Sequence, residues 1–163
     1  MPAEVSSNLA RFDGVKYGLH IDGNDVIDDY FKTRGAGFGK EVRRRVILGT
    51  YVLSAGYYDE YYGRAVMVQR LITEELKEAF KRIDLLLTPT TPAPAWKFGE
   101  KSNNPLEMYL EDIFTVHANI SGCPAISIPF GFDGKLPLGI ELTAVHGRED
   151  NLFRAGKDFL NES

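Results

Sequence analysis

Three short apolar runs, each closed by turn-forming residues and set among long helical patterns, restrict this chain to an α/β fold. The first spans 84–88, with Leu85, Leu86 and Leu87 in a row, and is halted by Pro89, Pro92 and Pro94. Proline cannot donate to a strand ladder, so the run reads as a buried strand entering a loop. The second spans Ala125 to Phe130 and precedes an Asp133-Gly134 turn; the third spans Leu138 to Val145. Helical periodicity occupies 41–54, 57–82, the stretch from Pro105 to His117 or Ile120, and 150–159. Strands alternating with helices imply an α/β class, a mixed sheet flanked by helices. Three strands buried on both faces leave open edges, so the sheet is expected to continue in residues outside this chain. The alternative is a small three-layer domain complete in itself.

The helices are specified by their apolar spacing. Val42, Val46, Gly49 and Leu53 recur along one helical face. Ile47, Leu48 and Tyr51 point elsewhere, so this helix is expected to be apolar over most of its circumference and largely buried. Gly56 is expected to end or bend it. Val68, Ile72, Leu76, Phe80 and Ile83 make a stripe along the next helix, with Glu74, Glu75, Lys77, Glu78 and Lys81 on the solvated side. Asn104 as N-cap, Pro105 at the first position and Glu107 at the third form a helix start. Residues 1–39 are rich in glycine and turn formers, an irregular lead-in with a short helix at Val26 to Lys32; 40–163 form the helix and strand core.

Bulk properties exclude several classes. At 163 residues, 44% hydrophobic and with a net charge of −4, the chain has material for one core but no broad basic surface for nucleic acid. One cysteine, Cys123, rules out an internal disulfide and a Cys-rich metal site. The three histidines, His20, His117 and His146, give no metal-ligand spacing. No apolar run approaches the ~20 residues of a membrane span. The N-terminus lacks the basic and apolar regions of a signal peptide, so a soluble intracellular protein without membrane contact is expected.

Candidate chemistry is sparse. No Gly-x-Ser-x-Gly elbow and no phosphate-binding loop occurs. Ser127 on a strand and Ser54 on a helix are expected to make core hydrogen bonds. Cys123, before Pro124, reads as an inert thiol. Tyr57, Tyr58, Tyr61 and Tyr62 have packing spacing more than that of a stacking platform, and Trp96 either lines a pocket or caps the core. Arg43-Arg44-Arg45 is more informative. At about 100° per residue, Arg44 falls on the solvated side and Arg45 beside Val42 and Gly49, at the margin of the buried face. A guanidinium there needs an anionic partner, and an internal carboxylate or a ligand would serve equally. On the later helix Asp112 lies somewhat nearer the apolar stripe than Glu111, although a helix-edge carboxylate is usually solvent-facing.

Several stretches together resemble one family: Ser6-Ser7-Asn8-Leu9-Ala10-Arg11-Phe12-Asp13-Gly14, Gly37-Phe38-Gly39-Lys40-Glu41-Val42-Arg43-Arg44-Arg45 and Leu48-Gly49-Thr50-Tyr51-Val52-Leu53-Ser54. Gly56-Tyr57-Tyr58-Asp59, Thr88-Pro89-Thr90, Met108-Tyr109-Leu110-Glu111-Asp112 and Pro124-Ala125-Ile126-Ser127-Ile128-Pro129 continue it. In order and spacing they resemble the C-terminal third of the amidotransferase A subunits of the amidase-signature family. The resemblance implies that 1–163 is one C-terminal segment of an amidase-signature domain, in a subunit that releases ammonia from glutamine. That ammonia amidates misacylated Glu-tRNA(Gln) or Asp-tRNA(Asn). It also implies substrate-binding roles: the arginine matching Arg45 holds the carboxylate of glutamine, and the aspartate matching Asp112 its ammonium. The family's catalytic lysine and two serines lie in and before a Gly/Ser-rich signature that this sequence lacks. No catalytic residue is therefore assigned, and the segment alone is expected to be inactive. The implied partners are glutamine, the B and C subunits of a heterotrimer, and tRNA through those partners. ATP and Mg are used by the partner, with no cofactor on this chain. The implied location is the cytoplasm, or the mitochondrial matrix or plastid for an organellar form. His117, where proline is commoner, and Ser121-Gly122-Cys123 depart from the pattern. A general amidase acting on another amide and a catalytically silent binding or scaffold segment are the alternatives.

Overall fold

The computed structural model describes residues 2–54, 56–100 and 105–161, and these form two compact units, Met1–Met67 and Val68–Ser163. The first contains α1 (Pro2–Leu9), α2 (Val26–Gly37), α3 (Lys40–Val52) and a π-helical segment at Tyr58–Gly63. Helix α4 (Arg64–Ala79) begins there and runs into the second unit, which holds β1 (Leu85–Pro89), α5 (Pro105–Leu110), α6 (Val116–Ser121), β2 (Ala125–Asp133), β3 (Leu136–Ala144) and α7 (Glu149–Asn161). No helix among the described residues is long and apolar enough to cross a membrane.

In the first unit, α2 starts where the Asp25 side chain accepts from the backbone N–H groups of Ile27 and Asp28, both at 2.9 Å. This is an N-cap satisfying two otherwise orphaned donors. The helix runs past Lys32 to Gly37, and α1 is an element the sequence pattern does not announce. Helix α3 packs on α1 through Gly49, the one residue of α3 that is buried. Ser6 of α1 donates to the Val46 carbonyl at 3.2 Å and its hydroxyl lies 3.2 Å from Thr50 Oγ1. The expectation of burial around most of α3 is not met. Val42, Val46 and Val52 are half-buried, but Ile47 is 70% exposed and Leu48 and Tyr51 are also open. Within this unit α1 covers one side of α3, and one neighbouring helix shields only one stripe of a helix surface.

The long helix expected over 57–82 is also divided. Its first turns are π-helical, pairing Tyr57 with Tyr61 (ring centroids 6.1 Å) and Tyr58 with Tyr62 (5.0 Å), and Tyr57 also meets Tyr51 (4.5 Å). The tyrosines therefore pack on one another.

In the second unit the three strands pair antiparallel in the order β1-β3-β2, at the positions the sequence indicates. Leu85 faces Ala144 and Pro89 faces Ile140; Ala125 faces Thr143 and Ile128 faces Ile140. Both proline-bearing outer strands are edges of this sheet, and β2 shifts register between Pro129 and Gly131, where Pro129 lacks a donor. Strand alternation divides the sheet into two chemistries. Ile128, Ile140, Leu142 and Ala144 point towards α7, where Leu152 completes the buried core with Leu85, Ile126, Ala155 and Phe159 around it. The opposite face carries Thr88, Ser127, Glu141 and Thr143. Apolar residues repeating at 152, 155 and 159 are the stripe that seats α7.

The single helix expected from Asn104 to His117 or Ile120 is two short helices with a turn at 111–115. Ile113, Phe114, Thr115 and Val116 are poor helix formers. Thr115 bonds its own backbone locally, its hydroxyl donating to the Asp112 carbonyl at 3.2 Å. The Asn104 cap lies outside the described residues.

Candidate functional site

Arg45 sits on α3 with its side chain 36% exposed, slightly less than Arg44 at 42%. Its Nε donates to Glu41 Oε1 at 2.8 Å, one helical turn back. Arg44 forks on to the same carboxylate, Nε to Oε2 and Nη2 to Oε1, each at 2.9 Å. The anionic partner that the helical geometry requires of Arg45 is thus Glu41. Hydrogen bonds from Arg44 and then Arg45 hold the Glu41 carboxyl down at about 2. Among the described residues the terminal nitrogens of Arg45 make no hydrogen bond, so one edge of the guanidinium faces outward. Arg43 is spent structurally: its Nε donates to the Phe38 carbonyl at 2.7 Å and its Nη2 to the Gly35 carbonyl, tying α3 to the end of α2.

Asp112 lies in the turn between α5 and α6, and its side chain is exposed. Its backbone carbonyl is the hub of the turn, accepting from Thr115 N (3.1 Å), Val116 N (3.0 Å) and Thr115 Oγ1. Its carboxylate accepts no hydrogen bond among the described residues. The helical wheel puts Asp112 nearer the apolar stripe than Glu111; the structure has the reverse, with Glu111 8% exposed. Breaking the helix rotates the turn, so a wheel continued through residue 112 misplaces both carboxylates.

The nucleophile candidates are occupied or unsuited. Ser127 Oγ lies 2.8 Å from Thr90 Oγ1, and Ser54 donates to the Tyr51 carbonyl at 2.6 Å. Cys123 is half-buried, its backbone N–H on Ser121 Oγ. No group of three metal-ligating side chains occurs among the described residues. Trp96 lines a shallow groove with Phe98 and Met108.

A constellation that sequence reasoning missed lies on the polar face of the sheet. Glu141 is only 6% exposed, His117 Nε2 is 3.9 Å from its Oε1, and the same nitrogen is 3.0 Å from Thr143 Oγ1. Burial pushes the Glu141 carboxyl above its ordinary value, and His117 partly offsets this. The set is no Thr–His–Glu triad. One imidazole nitrogen serves both neighbours, whereas a relay uses both nitrogens. Thr143 is also fully buried, out of reach of any substrate. The available signal was a glutamate inside an apolar strand, between Ile140 and Leu142.

The Amidase family model matches residues 1–153. The chain is 57% identical, over 94% of its length, to the A subunit of Glutamyl-tRNA(Gln) amidotransferase from Parvibaculum lavamentivorans, of which it covers 32%. It is 54% identical to the protein of that name from Carboxydothermus hydrogenoformans over 97% of its length and 33% of the relative's. It therefore spans about a third of the length of these curated relatives. Among solved structures, the A subunit of Glutamyl-tRNA(Gln) amidotransferase from Thermotoga maritima superposes with a TM-score of 0.55 at 48% identity, over 74% of this chain and 26% of that one. A bacterial aryl acylamidase of the amidase-signature family superposes with a TM-score of 0.68 at 19% identity, over 98% of this chain and 32% of that one, a likeness of fold.

Proposed function

This chain belongs to the amidase family, and we propose that it supplies the glutamine-gripping third of a subunit that releases ammonia from glutamine for the amidation of misacylated tRNA. The observation that carries the reading is 57% identity, across 94% of the chain, to the A subunit of a Glutamyl-tRNA(Gln) amidotransferase.

In this reading Arg45 meets the carboxylate of free glutamine with the outward edge of its guanidinium, while Glu41 holds Nε and fixes the plane of the group. Asp112 meets the ammonium, from a turn whose backbone hydrogen bonds hold its Cα in place. Each residue would hold one charged end of glutamine, a contribution of positioning rather than bond-making. The nucleophile and its base, a lysine and two serines, come from elsewhere in the longer protein. They form an acyl-enzyme from the side-chain carbonyl, release ammonia and hydrolyse the remaining ester to glutamate. The ammonia passes to a partner subunit in a heterotrimer, where ATP and Mg activate the acceptor, Glu-tRNA(Gln) or Asp-tRNA(Asn).

The test uses the full-length protein in its complex. Losing one charge-assisted contact of about 1.5–3 kcal/mol should raise the glutamine KM of Arg45→Ala about 10- to 150-fold. Amidation fed with ammonium chloride should survive unchanged. Asp112→Asn should show the same pattern. Equal loss of glutamine- and ammonia-supported amidation would refute the assignment, and hydrolysis of other amides with none of glutamine would point to a general amidase.

A further inference from the structure

The polar face of the sheet holds a buried carboxylate that the proposed chemistry does not use. Glu141 stands on the central strand. Its cross-strand neighbours are Thr88 on β1 and Ser127 on β2, neither of them titratable. From α6 comes His117, whose Nε2 lies 3.9 Å from Glu141 Oε1 and which becomes a counter-charge when protonated. Glu141 Oε1 and Thr88 Oγ1 are both buried without a hydrogen-bond partner among the described residues. A carboxylate so placed is tolerable when a cation sits beside it and costly when none does.

His117 is the second residue of α6, and the first turn of that helix is bonded to the Asp112 carbonyl through Thr115 and Val116. The far end of α6 is held separately, by Gln69 Nε2 donating to the Ile120 carbonyl at 3.0 Å. Among the described residues, His117 is the side chain that ties the near end of the helix to the sheet, through Thr143 and Glu141. We propose that His117 and Glu141 act together as a charge-dependent clasp: the imidazole satisfies a buried carboxylate that, left bare, would part the start of α6 from β3 and displace the turn that presents Asp112. The proposal rests on the glutamine-site reading of Asp112 given above.

The charge dependence has a definite sign. Glu141 titrates above the ordinary 4.5 because burial disfavours its ionised form. Below that pH it is protonated whether folded or unfolded, and no penalty arises. As pH rises through its folded value, the buried group must ionise and lean on His117, so stability falls with rising pH. Glu141→Gln removes the penalty while keeping the shape.

The experiment takes the full-length protein in its complex and follows glutamine KM and melting temperature against pH for H117Q, E141Q, the double variant and D112N. Misplacing a binding group by a fraction of an ångström to an ångström should raise the glutamine KM of H117Q about ten- to a hundredfold near pH 6. The defect should shrink towards lower pH, where Glu141 takes up a proton, and the double variant should return close to wild type. In melts, E141Q should gain on wild type as pH rises above 4.5. A double variant as impaired as H117Q, or an H117Q defect that does not vary with pH, would overturn the clasp and leave His117 a simple packing residue. The Asp112 reading fails separately: a glutamine KM unmoved by D112N retires Asp112, and the clasp is then decided by the melts alone, where H117Q must destabilise and the double variant restore. Sensitivity to D112N without rescue retires the clasp alone.

Discussion

Gly49→Ala should pry α1 from α3. Gly49 is the point of closest approach between the two helices, and a Cβ built there would lie 2.5 Å from Ser6 Cβ and closer still to the Pro2 carbonyl oxygen. The obstacle includes backbone, which cannot swing aside as a side-chain tip can. Overpacking of this kind costs about 1–3 kcal/mol, and the upper end applies where backbone must move. Against it stands the gain of about 1 kcal/mol that alanine brings to a helix interior over glycine. The net is a loss of about 2 kcal/mol, or roughly a 30-fold rise in the population with α1 detached. Both Ser6 hydrogen bonds, to Val46 and Thr50, should go with it. Amide hydrogen exchange in the full-length protein reads this directly, as faster exchange in residues 3–9 with α7 unchanged. A Gly49→Ala protein whose α1 amides exchange at the wild-type rate or slower would refute the close-packing argument.

Gly35, on α2, offers the converse case: a Cβ there meets nothing within 4 Å. Gly35→Ala should slow exchange in α2 by the equivalent of about 0.5–1 kcal/mol through helix propensity alone, and a faster rate would mean the site is not open. The Glu41 carboxyl, held by Arg44 and Arg45, should titrate near 2 in a carboxyl carbon NMR experiment and move back towards 4.5 in Arg44→Ala. Because its folded value is depressed, its contribution to stability is present above 4.5 and is lost as pH falls through about 2. A midpoint near 4.5 in the wild-type protein would dissolve the shared clamp.

The α/β class and the three strands were legible in the chain because an apolar run closed by proline or by Asp-Gly is a local signal. β1, β2 and β3 lie where those signals stand. Of the stripe Val42, Val46, Gly49 and Leu53, the first three mark the more buried side of α3, and with it the marginal position of Arg45, while Leu53 lies past the helix end and is 38% exposed. What failed were statements about what covers a surface or where a helix gives way. The α3 face at Ile47, Leu48 and Tyr51 is open because its apolarity names no partner. The break at 111–115, which buries Glu111 and exposes Asp112, depends on local bonding at Thr115 and on docking against the sheet. Asp112 entered by resemblance and not by its place on a wheel.

Local spacing settles element type because backbone hydrogen bonds and side-chain periods act over a few residues. His117 and Thr143, 26 positions apart, and Glu141 between them in the chain order, meet only because β3 pairs at the centre of the sheet and α6 lies across its polar face. Whether a buried charge finds a counter-charge is decided by that assembly, since the desolvation that makes the question matter exists only once the sheet is covered.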